Sequence, residues 1–180
     1  MGSQFVIWLT GLSASGKTTI ALQLATKLRQ HDFKVELLDG DAIRNELSAD
    51  LGFSRQDRRE QIRRVVYLCK LLSKNGITCL VSVISPYRDL RNLAREEIRK
   101  VSPFIEVFVK CSLESCIKRN PKGLYKKALS GEISNFTGLQ DPYEEPLSPD
   151  VMVNTDSETV EECVDKIISA IKIREEPVSL

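Results

Sequence analysis

Residues 5–28, FVIWLTGLSASGKTTIALQLATKL, decide the fold of this chain. The stretch opens with an apolar run from Phe5 to Leu9, passes through a loop that contains Gly11 and Gly16, and continues with apolar residues at helical spacing. We therefore predict a buried strand, a glycine loop and a helix, in that order. Residues 11–18 fit the pattern GxxxxGK[ST], in which glycines let the backbone curl so that successive N–H groups point at phosphate oxygens. The stretch predicts a nucleotide-binding site.

The residue types in this loop predict roles for individual side chains. Lys17 has the length and charge to hold the β- and γ-phosphates of a nucleotide, and Thr18 offers a hydroxyl ligand to Mg²⁺. The N-terminus of the following helix favours the negative charge of the phosphates. A glycine turn with a surface lysine is the alternative, and the flanking strand and helix argue against it. The candidate nucleotide-binding residues are Gly11, Leu12, Ser13, Ala14, Ser15, Gly16, Lys17, Thr18 and Thr19.

Apolar strands alternate with helical patterns along the rest of the chain. Strands are predicted near 5–9, 35–38, 77–84, 105–109 and 151–153, and helices near 17–30, 54–72, 88–100, 113–119 and 159–171. Strands that are apolar throughout are covered on both faces, so the pattern predicts a mostly parallel sheet between two helical layers. The predicted fold class is α/β, a three-layer sandwich of the P-loop nucleoside triphosphate hydrolase type. A chain of 180 residues suits one domain, 1–180.

Charge and cysteine content narrow the possible partners. The 26 basic and 25 acidic residues give a net charge of +1, so no overall field favours nucleic acid or a membrane surface, and a small-molecule partner is expected. Five scattered cysteines in mostly apolar surroundings predict reduced core residues, with neither a disulfide framework nor a metal pair. Reduced cysteines are typical of a cytoplasmic protein, which is expected here, and the N-terminal stretch MGSQFVIWL shows no targeting or transmembrane pattern.

The composition changes between residues 120 and 149. This segment holds four of the seven prolines, together with three glycines and several lysines. A long segment of this composition inside a compact α/β domain is more often a functional lid than a linker. We therefore predict a lid over residues 120–149.

Polar residues follow two of the predicted strands. Asp39 and Asp41 end the stretch VELLDGD, and Ser85 ends CLVSVIS, which places all three at the carboxyl edge of the sheet, where ligands bind in such folds. Asp39 is the preferred residue to orient Mg²⁺ or to accept a hydroxyl proton, although an aspartate here can also simply cap the next helix. Farther along, Arg58 and Gln61 share one side of a helix near its start, where an anion is favoured.

Trp8 and His31 have ordinary structural interpretations. Trp8 is expected to pack in the core of the first strand, and His31 to lie on the surface near a helix end.

No Asn-Lys-x-Asp guanine motif is present, which argues against a signalling GTPase, and a mechanical ATPase usually needs a longer chain. The remaining class is phosphoryl transfer to a small acceptor under a lid that excludes water.

The chain resembles the adenylylsulfate kinase (APS kinase) family over nearly its whole length. The resemblance rests on GLSASGKTT, LDGDAIR, LGFSRQDRREQIRR, VISPYR, NPKGLYKKALSGEISNFTG and DPYEEPLSPD, in that order. It implies transfer of the γ-phosphoryl group of ATP to the 3′-hydroxyl of adenosine 5′-phosphosulfate, giving 3′-phosphoadenosine 5′-phosphosulfate and ADP in sulfate assimilation. It also implies Mg²⁺ as the cofactor and a homodimer as the assembly.

The resemblance implies site residues as well. Lys17, Asp39 and Ser85 look like catalytic residues, Thr18 and Asp39 like metal ligands, and Arg119 with the loop after Asn154 like the ATP adenine side. Arg44 and Arg58 resemble clamps on the phosphosulfate, and Phe53 and Phe136 resemble rings that sandwich the acceptor adenine, which suits guanidinium and aromatic chemistry. The implied acceptor-binding residues are Asp41, Arg44, Phe53, Arg58, Gln61, Ile84, Ser85, Lys122 and Phe136.

Some features of the sequence leave alternatives open. Ser85 matches a position that some bacterial relatives mark as a phosphoserine intermediate, but in-line transfer between two bound nucleotides needs no protein nucleophile, so a hydrogen bond to the acceptor is expected. Ala42 and Gln61 stand where the family usually has asparagine, and Ala14 stands where relatives often carry glycine. Another small-metabolite P-loop kinase, or a nucleotide-binding module without catalysis, are the alternative functions.

Overall fold

The computed structural model describes residues 4–175. The prediction about the N-terminus rests partly on Met1–Ser3, which lie outside the described residues. The strands are β1 Val6–Thr10, β2 Val35–Asp39, β3 Thr78–Ser82, β4 Phe104–Lys110 and β5 Val151–Asn154. The helices are α1 Lys17–Gln30, α2 Gly40–Leu47, α3 Arg55–Lys74, α4 Arg88–Arg99, α5 Leu113–Arg119, α6 Leu124–Leu129 and α7 Val160–Glu175.

The five strands form one parallel sheet in the order β2-β3-β1-β4-β5. Residues of β1 alternate between two apolar layers: Ile7 and Leu9 pack with α1 and α7, whereas Val6 and Trp8 pack with α3 and α4. The sheet therefore has helices on both faces, and the predicted three-layer α/β fold is confirmed. The chain builds β2 and β3 on one side of β1 and then crosses to build β4 and β5 on the other, so the carboxyl end of β1 lies where ligands bind in such folds.

Local residue chemistry explains where the helices begin. Ser54 and Asp57 form a capping box, because the Ser54 hydroxyl accepts from the Asp57 N–H while the Asp57 carboxylate accepts from the Ser54 N–H. Asp39 caps α2 in the same manner, accepting from the N–H groups of Asp41 and Ala42 at 3.0 and 3.4 Å. The predicted helix ranges include neither α2 nor α6: α2 follows Asp39, where a capped helix was the alternative interpretation, and α6 lies inside the segment interpreted as a lid.

Several smaller predictions can be compared with the structure. Cys69, Cys79, Cys116 and Cys163 are buried free thiols and Cys111 is partly buried, as expected for reduced core residues. Trp8 is fully buried and His31 is exposed at the end of α1. Within residues 4–175, no helix combines the length and the apolar character that crossing a bilayer requires.

Candidate active site

The phosphate-binding loop lies between the end of β1 and the start of α1. Gly11 has φ 154° and lies so close to β4 that a Cβ would stand 2.5 Å from the Val109 carbonyl oxygen, so any larger residue would clash. Gly16 has φ 99° and precedes α1 in the left-handed region that favours glycine. The two glycines of the motif are therefore required by close packing at one position and by backbone conformation at the other.

Side chains from outside the loop hold two of its carbonyl groups. The Tyr125 hydroxyl donates to the Ser13 carbonyl oxygen at 3.0 Å, and the Thr155 hydroxyl donates to the Ser15 carbonyl oxygen at 2.9 Å. In a trans peptide the N–H of the following residue lies in the same plane as the carbonyl and points in the opposite direction. Fixing these carbonyls thus also fixes the direction of the N–H groups that a phosphate would meet.

Lys17 is buried beneath this loop. Its ammonium donates to the carbonyl oxygens of Gly11 and Leu12 at 3.0 and 2.7 Å. Burial lowers the pKa of Lys17 to about 8, because desolvation disfavours the charged form. Lys17 is therefore held close to the phosphate loop, where an anionic ligand would stabilise its charged form.

Three oxygen-bearing side chains meet at the adjoining edge of the sheet. The Thr18 hydroxyl donates to Asp39 Oδ2 at 2.8 Å and lies 3.2 Å from the hydroxyl of Ser82. Hydroxyl and carboxylate oxygens are the ligands that Mg²⁺ prefers, and Mg²⁺ in kinases is typically held by few protein groups together with phosphates. Among the described residues, no cluster of three or more His, Cys, Asp or Glu suited to a metal occurs. The predicted pair Thr18 and Asp39 fits the ion.

The opposite end of the site combines arginines with aromatic rings. The Arg44 guanidinium lies 4.5 Å from the centre of the Phe53 ring, and the Phe53 side chain is half exposed. Arg58 is buried and donates to the Asn135 carbonyl oxygen at 2.6 Å, and it forms an ion pair with Asp141 at 3.4 Å. Burial also lowers the pKa of Arg44. This end presents two cations and a flat apolar surface to a ligand.

Gln61 and Thr137 bring unpartnered polar atoms to the same region. Both residues are more than nine-tenths buried, and both line the cavity. Neither the Gln61 Oε1 atom nor the Thr137 hydroxyl oxygen has a hydrogen-bond partner. A buried polar atom without a partner costs free energy, so a ligand that donates to it would be favoured.

Ser85 lies in a loop with an unusual backbone conformation. Its φ is 41°, in the left-handed region, and the residue is held from two sides. The Trp8 indole N–H donates to the Ser85 hydroxyl oxygen at 3.0 Å, and Arg91 donates to the Ser85 carbonyl oxygen at 2.7 Å. Trp8 packs in the core as predicted, but its contact with Ser85 also fixes a residue of the candidate site.

Segment 120–149 packs over the cavity. Lys122 forms an ion pair with Asp41, which raises the pKa of Lys122 mainly through their hydrogen bond. The Phe136 ring lies 4.9 Å from that of Tyr125, at an angle of 72°. Arg119, just before this segment, donates to the hydroxyl and the carbonyl oxygen of Thr155 at 3.0 and 2.6 Å.

These groups line one cavity of about 810 Å³. Three predicted residues of the phosphate loop, Gly11, Leu12 and Ser15, do not line the cavity, and all the other predicted site residues do. The predicted residues that line the cavity are Ser13, Ala14, Gly16, Lys17, Thr18, Thr19, Asp39, Asp41, Arg44, Phe53, Arg58, Gln61, Ile84, Ser85, Arg119, Lys122 and Phe136.

The pattern of the family described as adenylylsulphate kinase matches residues 3–154. This chain belongs to the adenylylsulphate kinase family. An adenylyl-sulfate kinase of Gloeothece citriformis is 53% identical over 163 residues, which cover 90% of each chain. A probable adenylyl-sulfate kinase of Aeropyrum pernix is 46% identical, over 93% of this chain and 92% of that one.

A solved structure agrees with this placement in the adenylylsulphate kinase family. An APS kinase of Mycobacterium tuberculosis, in complex with AMPPNP and APS, superposes with a TM-score of 0.91 at 39% identity, over 96% of this chain and 99% of that one. The predicted family and enzyme class, an ATP phosphotransferase, are confirmed, and so is the fold class.

Several residues of the site were absent from the sequence predictions. Ser82, Tyr125, Asn135 and Thr137 line the cavity without having been predicted, and Thr155 lines it as an unnamed member of the loop after Asn154 that the resemblance implied. Both Tyr125 and Thr155 could have been proposed from the sequence, because Tyr125 lies inside the predicted lid and Thr155 directly follows an apolar strand. Their contacts are with backbone carbonyls, however, and the spacing of the motif does not encode such contacts.

Proposed function

We propose that this chain binds ATP and adenosine 5′-phosphosulfate in one cavity and transfers the γ-phosphoryl group to the acceptor 3′-hydroxyl, forming 3′-phosphoadenosine 5′-phosphosulfate and ADP for sulfate assimilation. The continuous cavity is the observation that carries the proposal. It joins a phosphate loop at one end to an arginine and aromatic surface at the other. Two nucleotides bound at these ends would meet near Asp39, where direct transfer needs no covalent enzyme intermediate.

The donor end would hold the ATP phosphates. Lys17 would turn from the carbonyls of Gly11 and Leu12 to the β- and γ-phosphates, which are stronger partners for an ammonium. Thr18 and Asp39 would hold Mg²⁺, which supplies charge neutralisation to the phosphates when bound. Arg119 and Thr155 would border the ATP adenine, since they lie together on the far side of the loop.

The acceptor end would hold the phosphosulfate and its adenine. Arg44 and Arg58 would contact the anionic oxygens, and the rings of Phe53 and Phe136 would enclose the base. Gln61 supports this placement, because its buried and unpartnered Oε1 needs a donor such as the amino group of adenine. Gln61 thereby keeps an amide where the family usually has asparagine.

Ser85 would bind the acceptor by donating a hydrogen bond. The Trp8 N–H can only donate, so the Ser85 oxygen accepts from it and keeps its own proton for another partner. Ile84 and Ser85 line the cavity beside Asp39. Asp39 would accept a hydrogen bond from the 3′-hydroxyl and orient it toward the γ-phosphorus, while segment 120–149 covers the site as a lid and excludes water.

The cell location and assembly form part of the proposal. We propose one kinase domain over 1–180 that works as a cytoplasmic homodimer, in keeping with reduced cysteines and the family resemblance. We propose no binding partner other than the two nucleotides and the second copy of the chain, and thus neither nucleic acid nor a membrane. Sedimentation equilibrium tests the dimer, and a single species at the mass of one chain would refute it.

The experiment that tests the reaction measures ADP formation with Mg-ATP and four acceptor conditions: adenosine 5′-phosphosulfate, adenosine monophosphate, gluconate and no acceptor. Turnover with the phosphosulfate alone is expected. The variant Lys17→Ala, purified in parallel, controls for contaminating kinases. Turnover with another acceptor would identify a different small-metabolite kinase, and no turnover with any acceptor would favour a nucleotide-binding module without catalysis.

A further inference from the structure

Tyr125 contacts both ends of the cavity with a single side chain. It lies in α6, is 1% exposed, and its hydroxyl donates to the Ser13 carbonyl oxygen of the phosphate loop at 3.0 Å. Its ring meets the edge of Phe136 at 4.9 Å. One residue thus links the loop proposed for ATP to the ring proposed for the acceptor adenine.

The bond to Ser13 acts on a peptide group that faces the ligand. Ser13 and Ala14 both line the cavity, and Ala14 has φ 61°, a conformation that a non-glycine residue adopts at a cost unless its surroundings hold it. By fixing the Ser13 carbonyl, the Tyr125 hydroxyl also fixes the Ala14 N–H, which lies in the same peptide plane and points in the opposite direction. A shift of α6 would therefore change the direction of an N–H group offered to phosphate.

Phe136 and α6 are joined by a second link. The Gln140 side chain accepts from the Phe136 N–H at 2.9 Å and donates to the Ala128 carbonyl oxygen in α6 at 3.1 Å. The Tyr125 N–H in turn donates to the Asn120 side chain at 3.1 Å, which holds the start of the helix. A ligand that orders Phe136 would hence also order α6 and Tyr125.

We propose that Tyr125 is a positioning residue that couples the two substrate sites, so that binding of either nucleotide tightens binding of the other. The inference rests on the proposed function, since it needs both nucleotides in the cavity. Both ligands favour the same position of the Tyr125 side chain. ATP would favour it by binding the Ala14 N–H, whose direction depends on the Tyr125–Ser13 bond, and the acceptor would favour it by packing on Phe136, which contacts the Tyr125 ring. Ligands that favour a common arrangement bind cooperatively, and the effect is equal in both directions.

The hydroxyl suits this role across the working pH range. Burial raises the pKa of Tyr125 well above its ordinary value, so the phenol stays protonated and remains a donor to the Ser13 carbonyl. The variant Tyr125→Phe keeps the ring contact with Phe136 and removes the hydroxyl, with its bond to the Ser13 carbonyl and its contact with the Cys116 thiol. It therefore separates coupling from packing.

The test measures the Kd of adenosine 5′-phosphosulfate by calorimetry, without and with saturating Mg-AMPPNP, for wild type and three variants. Tyr125→Phe removes the bond to the loop. Gln140→Ala removes the hydrogen bonds that join α6 to Phe136, and Gln140 itself does not line the cavity. Tyr143→Phe is the matched control, because it also removes one phenol contact, the partly buried bond with Thr10 at 2.9 Å, whereas Tyr143 bonds no carbonyl of the phosphate loop and does not contact Phe136. Thermal unfolding midpoints show that each variant is folded.

In wild type, AMPPNP should tighten acceptor binding by about fivefold or more, the lower end of typical coupling. Tyr125→Phe and Gln140→Ala should reduce this factor to about one or two, the loss expected from one hydrogen bond, while Tyr143→Phe keeps it. The same factor in Tyr125→Phe as in wild type overturns the inference, and so does equal loss in Tyr143→Phe or no tightening in wild type. A wild-type chain that binds AMPPNP but no phosphosulfate overturns the proposed function and the inference with it.

Discussion

The donor and acceptor ends of the cavity are built from different parts of the chain. The donor end is a short continuous loop between β1 and α1, shaped by backbone groups and by Gly11 and Gly16. The acceptor end gathers side chains from α2, α3, the loop after β3 and segment 120–149. Phosphate is common to all nucleotides and can be bound by backbone N–H groups, whereas choosing one acceptor requires specific side chains. The donor end should therefore depend on one charged side chain, and the acceptor end on several.

The largest effect is expected from Lys17→Ala. Loss of the only lysine in the phosphate loop should lower the rate of transfer by about a thousandfold or more, because the charge that develops on the phosphates loses its partner. Rapid-quench measurement of ADP formation tests this. Lys27→Ala is the control: Lys27 lies on the same helix but pairs with Asp165 at the surface, and its rate should not change. A rate near wild type in Lys17→Ala would refute the donor site.

Arg58→Ala should affect the acceptor end alone. Loss of a buried guanidinium that would contact the phosphosulfate should raise the KM for the acceptor by about 10- to 100-fold, and the KM for ATP by less than about threefold. Arg59→Ala, at an exposed neighbouring position on α3, is the control and should leave both values unchanged. Equal increases in both KM values would contradict the separation of the two ends.

The pH dependence of the two ends should differ. In the free protein the Lys17 pKa is about 8, so Lys17 is about nine-tenths charged at pH 7 and about one-tenth charged at pH 9. Because the phosphates bind the ammonium, AMPPNP affinity should fall about tenfold between pH 7 and pH 9. Calorimetry at both pH values measures this. Binding of adenosine 5′-phosphosulfate alone, which relies on arginines, should change little, and a parallel fall would contradict the assignment of the effect to Lys17.

The smallest effect is expected from Trp8→Phe. The change removes the N–H that holds the Ser85 hydroxyl, so kcat/KM for the acceptor should fall by about three- to tenfold. Phe104→Leu is the control, since Phe104 packs 5.9 Å from Trp8 in the same layer but leaves the Ser85 bond in place. A comparable fall in Phe104→Leu would show that packing, and not the bond to Ser85, causes the effect.

The same contrast explains what could be predicted from the sequence. Lys17 and Thr18 were assigned from spacing alone, because the loop, its strand and its helix are continuous in the chain. Arg44, Phe53 and Phe136 have no such pattern and were assigned only through the family resemblance. Tyr125 was missed, and Thr155 was covered only by the implied loop after Asn154, because their partners are carbonyl groups of a loop more than a hundred residues away, at sequence separations of 112 and 140. Contacts of this kind depend on the folded arrangement and leave no periodic pattern.

The continuous cavity described above also has a consequence for inhibitor design. Since both ends open onto one space of about 810 Å³, a single compound that joins two adenosine groups through a chain of phosphates can occupy both at once. Binding of one half raises the local concentration of the other half to the millimolar range or higher, so the linked compound gains affinity without any new contact. Its best linker length would also measure, in solution, the distance that the transferred group must cross.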